Sequence, residues 1–228
     1  MSQPNIFCKN IWIHQQKQLL ELFIRALQML EEAETLPKDE VEITKTLNRC
    51  CQTVMFSLSK EGRELVGNLI PEALNVEQYK DIAIPAKQVK KPDFQYVFQD
   101  QQAICPNDYQ KSLVVECKRL GSFTGSDYFN KKYVIEGICR YIDCDHSYGL
   151  SAPCGIMVGY IQNMTLENIL VEVNAECAGN HISELSLFDD EHQAGIVSQL
   201  SHDFDRSFPI QHFTLHHLWA DLGKHYQV

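Results

Sequence analysis

Asp93, Glu116 and Lys118 are the residues of this 228-residue chain whose types and spacing could do chemistry together. Glu116 and Lys118 stand two apart in KSLVVECKRL (111–120). In a strand, whose side chains alternate between faces, that spacing puts a carboxylate and an ammonium on one side and Cys117 on the other. Asp93 follows Pro92 near the start of KPDFQYVFQD (91–100), and antiparallel pairing of the two runs would bring its carboxylate beside Glu116. Two hard oxygen donors and a cation at one spot suit Mg²⁺, which binds through one or two carboxylates, keeps several waters and takes its other ligands from phosphate. An ion held in this way lowers the pKa of a bound water and neutralises charge on a phosphorane-like transition state. The neighbouring ammonium orients that water or stabilises a phosphate oxygen.

Such side chains need a rigid frame. Both runs are short and rich in aromatic or β-branched residues, and Pro106-Asn107-Asp108 supplies turn chemistry between them, so they read as a hairpin. Upstream, residues 11–34 carry Leu19, Leu20, Phe23, Leu27 and Leu30 at helical spacing and stop before Pro37. From Lys38-Asp39 a second helical pattern places Ile43, Leu47, Cys50, Val54 and Leu58 on one face, and residues 61–75 read as its continuation, broken at Pro71. Downstream, residues 121–127 read as a loop, 126–142 as a helix, 153–162 as a buried strand, 165–177 as a helix capped by Gly179, and 208–222 as a final strand. This order predicts an α/β domain over residues 39–228, with a mixed central sheet flanked by helices, preceded by an N-terminal helical arm over residues 1–38.

Pro92-Asp93 followed by Glu116-Cys117-Lys118 resembles the signature of the PD-(D/E)xK nuclease superfamily, the restriction-endonuclease-like fold. The resemblance implies that Asp93 and Glu116 hold Mg²⁺, with Mn²⁺ able to substitute, that Lys118 assists the attacking water, and that a helix before the hairpin contributes another glutamate. DEVEITKTL offers Glu40 and Glu42 for that role. Glu40 lies three residues before Ile43 and therefore on its core-facing side, whereas Glu42 projects to the flank, which favours Glu40. The helix and strand that follow the lysine in the family correspond to residues 126–142 and 153–162, so the resemblance covers residues 39–165 in element order. It leaves the first helix and the acidic tail unexplained. The implied function is Mg²⁺-dependent hydrolysis of DNA phosphodiester bonds, in restriction or anti-phage defence by analogy. The alternative is a catalytically inactive, nuclease-like subunit of a larger assembly.

Charge is unevenly distributed. The net charge is −10, yet residues 80–140 carry ten Lys or Arg against seven Asp or Glu, while residues 160–205 carry nine acids and no Lys or Arg. The positive region, with Lys131 and Lys132 on the helix after the strand of Lys118, is the expected nucleic-acid face, and the acidic segment is expected to stay clear of phosphate or to meet a basic partner. So few basic residues imply weak binding to bare DNA and a homo-oligomer or protein partner that supplies affinity. Nine cysteines, several in apolar runs, fit reduced thiols in the cytoplasm. No apolar stretch is long enough to cross a bilayer, and the first ten residues lack the apolar core of a signal peptide.

Other groups carry less chemistry. Cys139, Cys144 and His146 have no CxxC or paired HxxxH frame to complete a zinc site, and His212 and His216 sit in what reads as a strand rather than a metal-binding helix. Cys117 should face the core, and Arg119 should brace a loop. Loss of Lys118 is expected to abolish activity with little change in melting temperature.

Overall fold

The computed structural model describes residues 6–73, 91–104, 109–122, 125, 127–142, 148–150, 152–188, 195–207 and 210–226, with side chains from residue 12 onward. Helices α1 (Ile6–Glu31) and α2 (Glu40–Lys60) precede strands β1 (Asn68–Pro71), β2 (Phe94–Gln99) and β3 (Gln110–Leu120). Helix α3 is built of a helical turn Phe129–Tyr133, a π-helical turn Val134–Ile138 and a closing turn Cys139–Ile142. Then come β4 (Cys154–Ile161), α4 (Leu166–Gly179), β5 (Ser186–Leu187), β6 (Val197–Asp205), β7 (His212–Asp221) and a 3₁₀ turn, Gly223–His225. The seven strands form one mixed sheet in the order β1-β2-β3-β4-β7-β6-β5. Strands β3, β4 and β7 run parallel, and the outer pairings are antiparallel.

The alternation of side chains divides the core in two. Val115, Cys117, Ile156 and Val158 face the stripe of Leu19, Phe23, Leu27 and Leu30 on α1 and of Ile43, Leu47 and Leu58 on α2. Val114, Leu120, Met157 and Trp219 face the opposite side, with Tyr133, Ile138 and Tyr141 of α3 and Ile169, Val173 and Cys177 of α4. Central strand β4 is buried throughout, as expected of a strand covered on both faces. The apolar stripe of the N-terminal arm is thus spent on packing; Phe23 meets Phe94 edge-on at 5.4 Å.

One expectation needs correction, and one strand was not foreseen. Residues 61–75 do not continue the second helix. Glu61 caps α2, Gly62 takes a left-handed φ of 71°, and Asn68–Pro71 adds to the sheet as an antiparallel partner of β2. Pairing with an available edge overrides the local pattern there, and Pro71 is tolerated because it ends an edge strand. Strand β6 was not anticipated: in VSQLSHDFD polar residues outnumber apolar ones with no regular alternation, yet Val197, on one face of the sheet, and Leu200 and His202, on the other, are buried. A smaller difference is that α4 includes Gly179 and is capped by Asn180. The proposed turn at 106–108 and the residues Cys144 and His146 lie outside the described residues.

Candidate active site

The site forms where the hairpin stops being a hairpin. Strand β3 is 11 residues long and β2 only 6, and their last pair is Phe94 with Val115. Beyond it, no described strand pairs with this edge of β3, and an unpaired N–H in a half-buried place is costly. Two carboxylates satisfy such groups. Asp93, one step before Phe94 and so opposite Glu116, accepts from Cys117 N at 2.7 Å through Oδ2. Glu40 accepts from Arg119 N at 3.1 Å through Oε2.

Glu40 reaches the sheet because α2 begins there. Asp39 is its N-cap, accepting from Val41 N at 3.0 Å and Glu42 N at 3.3 Å, which fixes the first helical residue. The preceding loop is tied down by Gln162, whose amide donates to Lys38 O, and by Tyr226, whose hydroxyl donates to Pro37 O. Glu42 points away and pairs with exposed Lys45 at 2.7 Å. Glu40, and not Glu42, is the acid brought to the site.

Lys118 joins the parts. Its ammonium donates to Glu116 Oε1 at 2.9 Å, to Glu40 Oε1 at 3.0 Å and to Cys117 O at 2.9 Å. Burial alone would lower its pKa, but Glu116, Glu40 and Asp93 around it raise it above the ordinary lysine value. Lys118 is therefore a fixed cation and not a base.

Glu116 is almost fully buried. Burial pushes its carboxyl up, and the charges of Lys118 and Arg140 pull it back. Oε1 takes both Lys118 Nζ and Arg140 Nη1, while Oε2 is buried without a hydrogen-bond partner. Asp93 is half-buried, and burial followed by the neighbouring Glu116 charge raises its pKa to about 7.

Arg140 is the member that sequence reasoning missed. It sits in the last turn of α3, and Gly137 in the π-helical turn lets that helix come close: a Cβ there would lie 2.5 Å from Met157 Cε and 3.6 Å from Lys118 Cγ. π-Helical turns recur at functional sites. From the far side, buried Arg206 holds the segment after Arg140 by donating to Tyr141 O, Tyr148 O, Gly149 O and Ala152 O, with its guanidinium 3.8 Å over the Phe213 ring.

The other predicted residues lie elsewhere. Lys131 and Lys132 are exposed at the start of α3, but Lys131 is 3.7 Å from Glu176 and Lys132 2.5 Å from Asp127. Helix α4, from the acidic segment, packs beside them, and Asn130 donates to Glu172 at 2.8 Å. A cleft of ≈ 470 Å³ between the two helices has mixed charge as a result. Arg119 braces the loop through Asp127 at 2.6 Å and covers the Phe129 ring. His202, His216 and His217 belong to β6 and β7; burial keeps them neutral, the first two at a pKa of about 4. Among the described residues no group of three or more His, Cys, Asp or Glu side chains is arranged to hold a metal ion, and Cys50, Cys51, Cys117, Cys154 and Cys177 are free thiols. Among the described residues no helix is long and apolar enough to cross a membrane.

Comparison of the chain with protein-family models, with curated protein sequences and with solved structures finds no match.

Proposed function

We propose that the protein is a metal-dependent nuclease that hydrolyses phosphodiester bonds of DNA at the edge of β3 beyond Val115. The observation that carries this reading is the convergence of Asp93, Glu116, Glu40 and Lys118 at that edge, with Lys118 bridging Glu116 and Glu40. A divalent cation fits the donor set, because Glu116 Oε2 is a buried carboxylate oxygen left without a partner and hard cations prefer such oxygens. Asp93 and Glu116 would hold it. When bound, Mg²⁺ or Mn²⁺ would lower the pKa of a coordinated water and offset charge on the reacting phosphate.

The chain's own residues do the rest. Lys118, permanently charged and held by Glu116, Glu40 and the Cys117 carbonyl, would offset the developing negative charge as a fixed cation. Glu40 keeps the long Lys118 side chain in one rotamer and so acts on the chemistry through it. Arg140 gives a second, half-buried cation paired with Glu116, and a guanidinium there suits the planar oxygen pair of a phosphate. The setting in restriction or anti-phage defence rests on the resemblance alone, and free thiols support a cytoplasmic location.

A second reading has its own observation. Lys118 and Arg140 already neutralise Glu116, and Asp93 and Glu40 already cap backbone N–H groups, so the same residues serve a non-catalytic fold inside an assembly. Incubation of supercoiled plasmid and of linear single-stranded DNA with Mg²⁺ or Mn²⁺, with and without chelator, separates the two. Metal-dependent nicking that disappears in Lys118→Met supports the nuclease. No cleavage of either substrate, by protein shown to be folded, favours the structural reading.

A further inference from the structure

Beside the candidate site lies a cleft of ≈ 250 Å³ between α2 and the ends of β1 and β2, and Asp93 is one of its walls. Val41 of α2 and Pro71 of β1 supply apolar surface from its two walls; Val41 is 50% exposed. On the same wall of α2, two turns beyond Val41, Asn48 is half-buried, and its amide has no hydrogen-bond partner among the described residues. Lys45 stands one turn earlier on α2. The remaining wall is Glu72, a non-glycine residue held at a left-handed φ of 47°, whose N–H donates to Asp93 O at 3.0 Å.

These features select a ligand. Two carboxylates, Asp93 and Glu72, repel a phosphate from the cleft itself, but leave an uncharged ring free to occupy it. The volume falls below that of sites which enclose drug-sized ligands, roughly 300–1,000 Å³, and admits one heterocycle rather than a base pair. An apolar wall stacks on a π face. An unpartnered amide, with donor and acceptor on one group, reads a base edge. Lys45, at the rim, is placed for the phosphate on the outer side of that nucleotide.

We propose that this cleft receives one unpaired nucleobase of the strand whose phosphate reaches Glu116 and Lys118, so that the preferred substrate is single-stranded or end-frayed DNA rather than intact duplex. The identity of the ligand as nucleic acid rests on the nuclease reading, and the cleft shares only Asp93 with the proposed metal site. A duplex would enter only by extruding a base, at an unpairing cost that single strands do not carry.

The test is binding without cleavage. Deoxynucleoside 5′-monophosphates are titrated into ¹⁵N-labelled protein in chelator, and the Asn48 side-chain amide and Val41 backbone amide are followed by NMR. Saturable shifts confined to these and neighbouring residues are expected. In parallel, fluorescence anisotropy with Ca²⁺ in place of Mg²⁺ compares a single-stranded oligonucleotide with its blunt duplex. Wild type should favour the single strand, and Asn48→Ala should weaken single-strand binding by about fivefold, the size of one lost hydrogen bond, with an unchanged circular dichroism spectrum. Nucleotide shifts in a protein that cleaves nothing would uphold the cleft while sinking the nuclease. Metal-dependent cleavage without any shift at Asn48, and with Asn48→Ala binding as wild type, would overturn the cleft and leave the nuclease standing.

Discussion

Replacing Asp93 with asparagine isolates a cost that the site imposes on the fold. Burial, and then the Glu116 charge, raise this acid from 3.8 to about 7. The folded protein therefore holds the proton more tightly than the unfolded chain does. Stability from this group is complete below about pH 4, is lost as pH rises toward 7, and is flat above that. At about 1.4 kcal/mol per tenfold difference in proton affinity, full ionisation costs about 4 kcal/mol; Asp93 is half-buried rather than sealed, and solvent screening reduces this to about 2–3 kcal/mol. Asparagine keeps an oxygen for the Cys117 N–H and carries no charge. Without divalent cations, Asp93→Asn should melt with wild type at pH 4 and roughly 5–10 °C above it at pH 8, given the scaling for chains of this length. Adding Mn²⁺ at pH 8 should raise the wild-type melting temperature and leave the variant where it was. Thermal denaturation across pH 4–8, with and without Mn²⁺, reads all of this. A variant no more stable than wild type at pH 8 would refute the assigned burial cost, and an equal Mn²⁺ response in both would remove Asp93 from the metal.

Lys118→Met should abolish cleavage, and it should also destabilise the protein by up to about 3 kcal/mol, since Glu116 and Glu40 both lose a partner and only Glu116 retains Arg140; this replaces the expectation of an unchanged melting temperature, and urea denaturation measures it. Arg140→Gln should tighten Mn²⁺ binding in calorimetry, because one of two competing cations leaves Glu116, while cleavage falls. Glu42→Ala should stay within about 0.5 kcal/mol of wild type and keep full activity, as expected for loss of an exposed pair, whereas Glu40→Ala should lose most activity in the same plasmid assay. Replacing both Lys131 and Lys132 with alanine should lower the slope of log affinity against log salt by about two if they meet phosphate; the acids beside them predict a smaller change, and a salt series of anisotropy titrations decides.

Much of the site was legible because it depends on the simplest periodicities. The two-residue spacing of Glu116 and Lys118, and the position of Asp93 one step ahead of its strand, needed only the alternation of a strand and antiparallel pairing. Glu40 followed from its offset to Ile43. Arg140 needed one more step, which was available in principle. From Phe129 to Arg140 a helix advances about 16 Å, the length of about five strand residues. A helix turning back over β3 from Gly121 therefore brings Arg140 level with Glu116. The glycine and the π-helical turn that let α3 settle close to Lys118 leave no such periodic trace. Strands β1 and β6 were hidden for a different reason: both owe their conformation to pairing with a neighbour across the sheet, and neither NLIP nor VSQLSHDFD carries that partner in its own pattern.

Arg206 sets a limit on how this protein can be divided. The residues proposed for chemistry all fall between Glu40 and Arg140, which invites excision of a minimal catalytic fragment ending after β4. Such a fragment would leave behind the guanidinium that gathers the carbonyls of Tyr141, Tyr148, Gly149 and Ala152, and with it the β7 ring on which that guanidinium rests. The chain segment carrying Arg140 would then lose its anchor, although every proposed catalytic side chain was still present. The C-terminal strands are therefore part of the smallest heritable unit of this site, and a gene truncated after β4 would encode its chemistry without its shape.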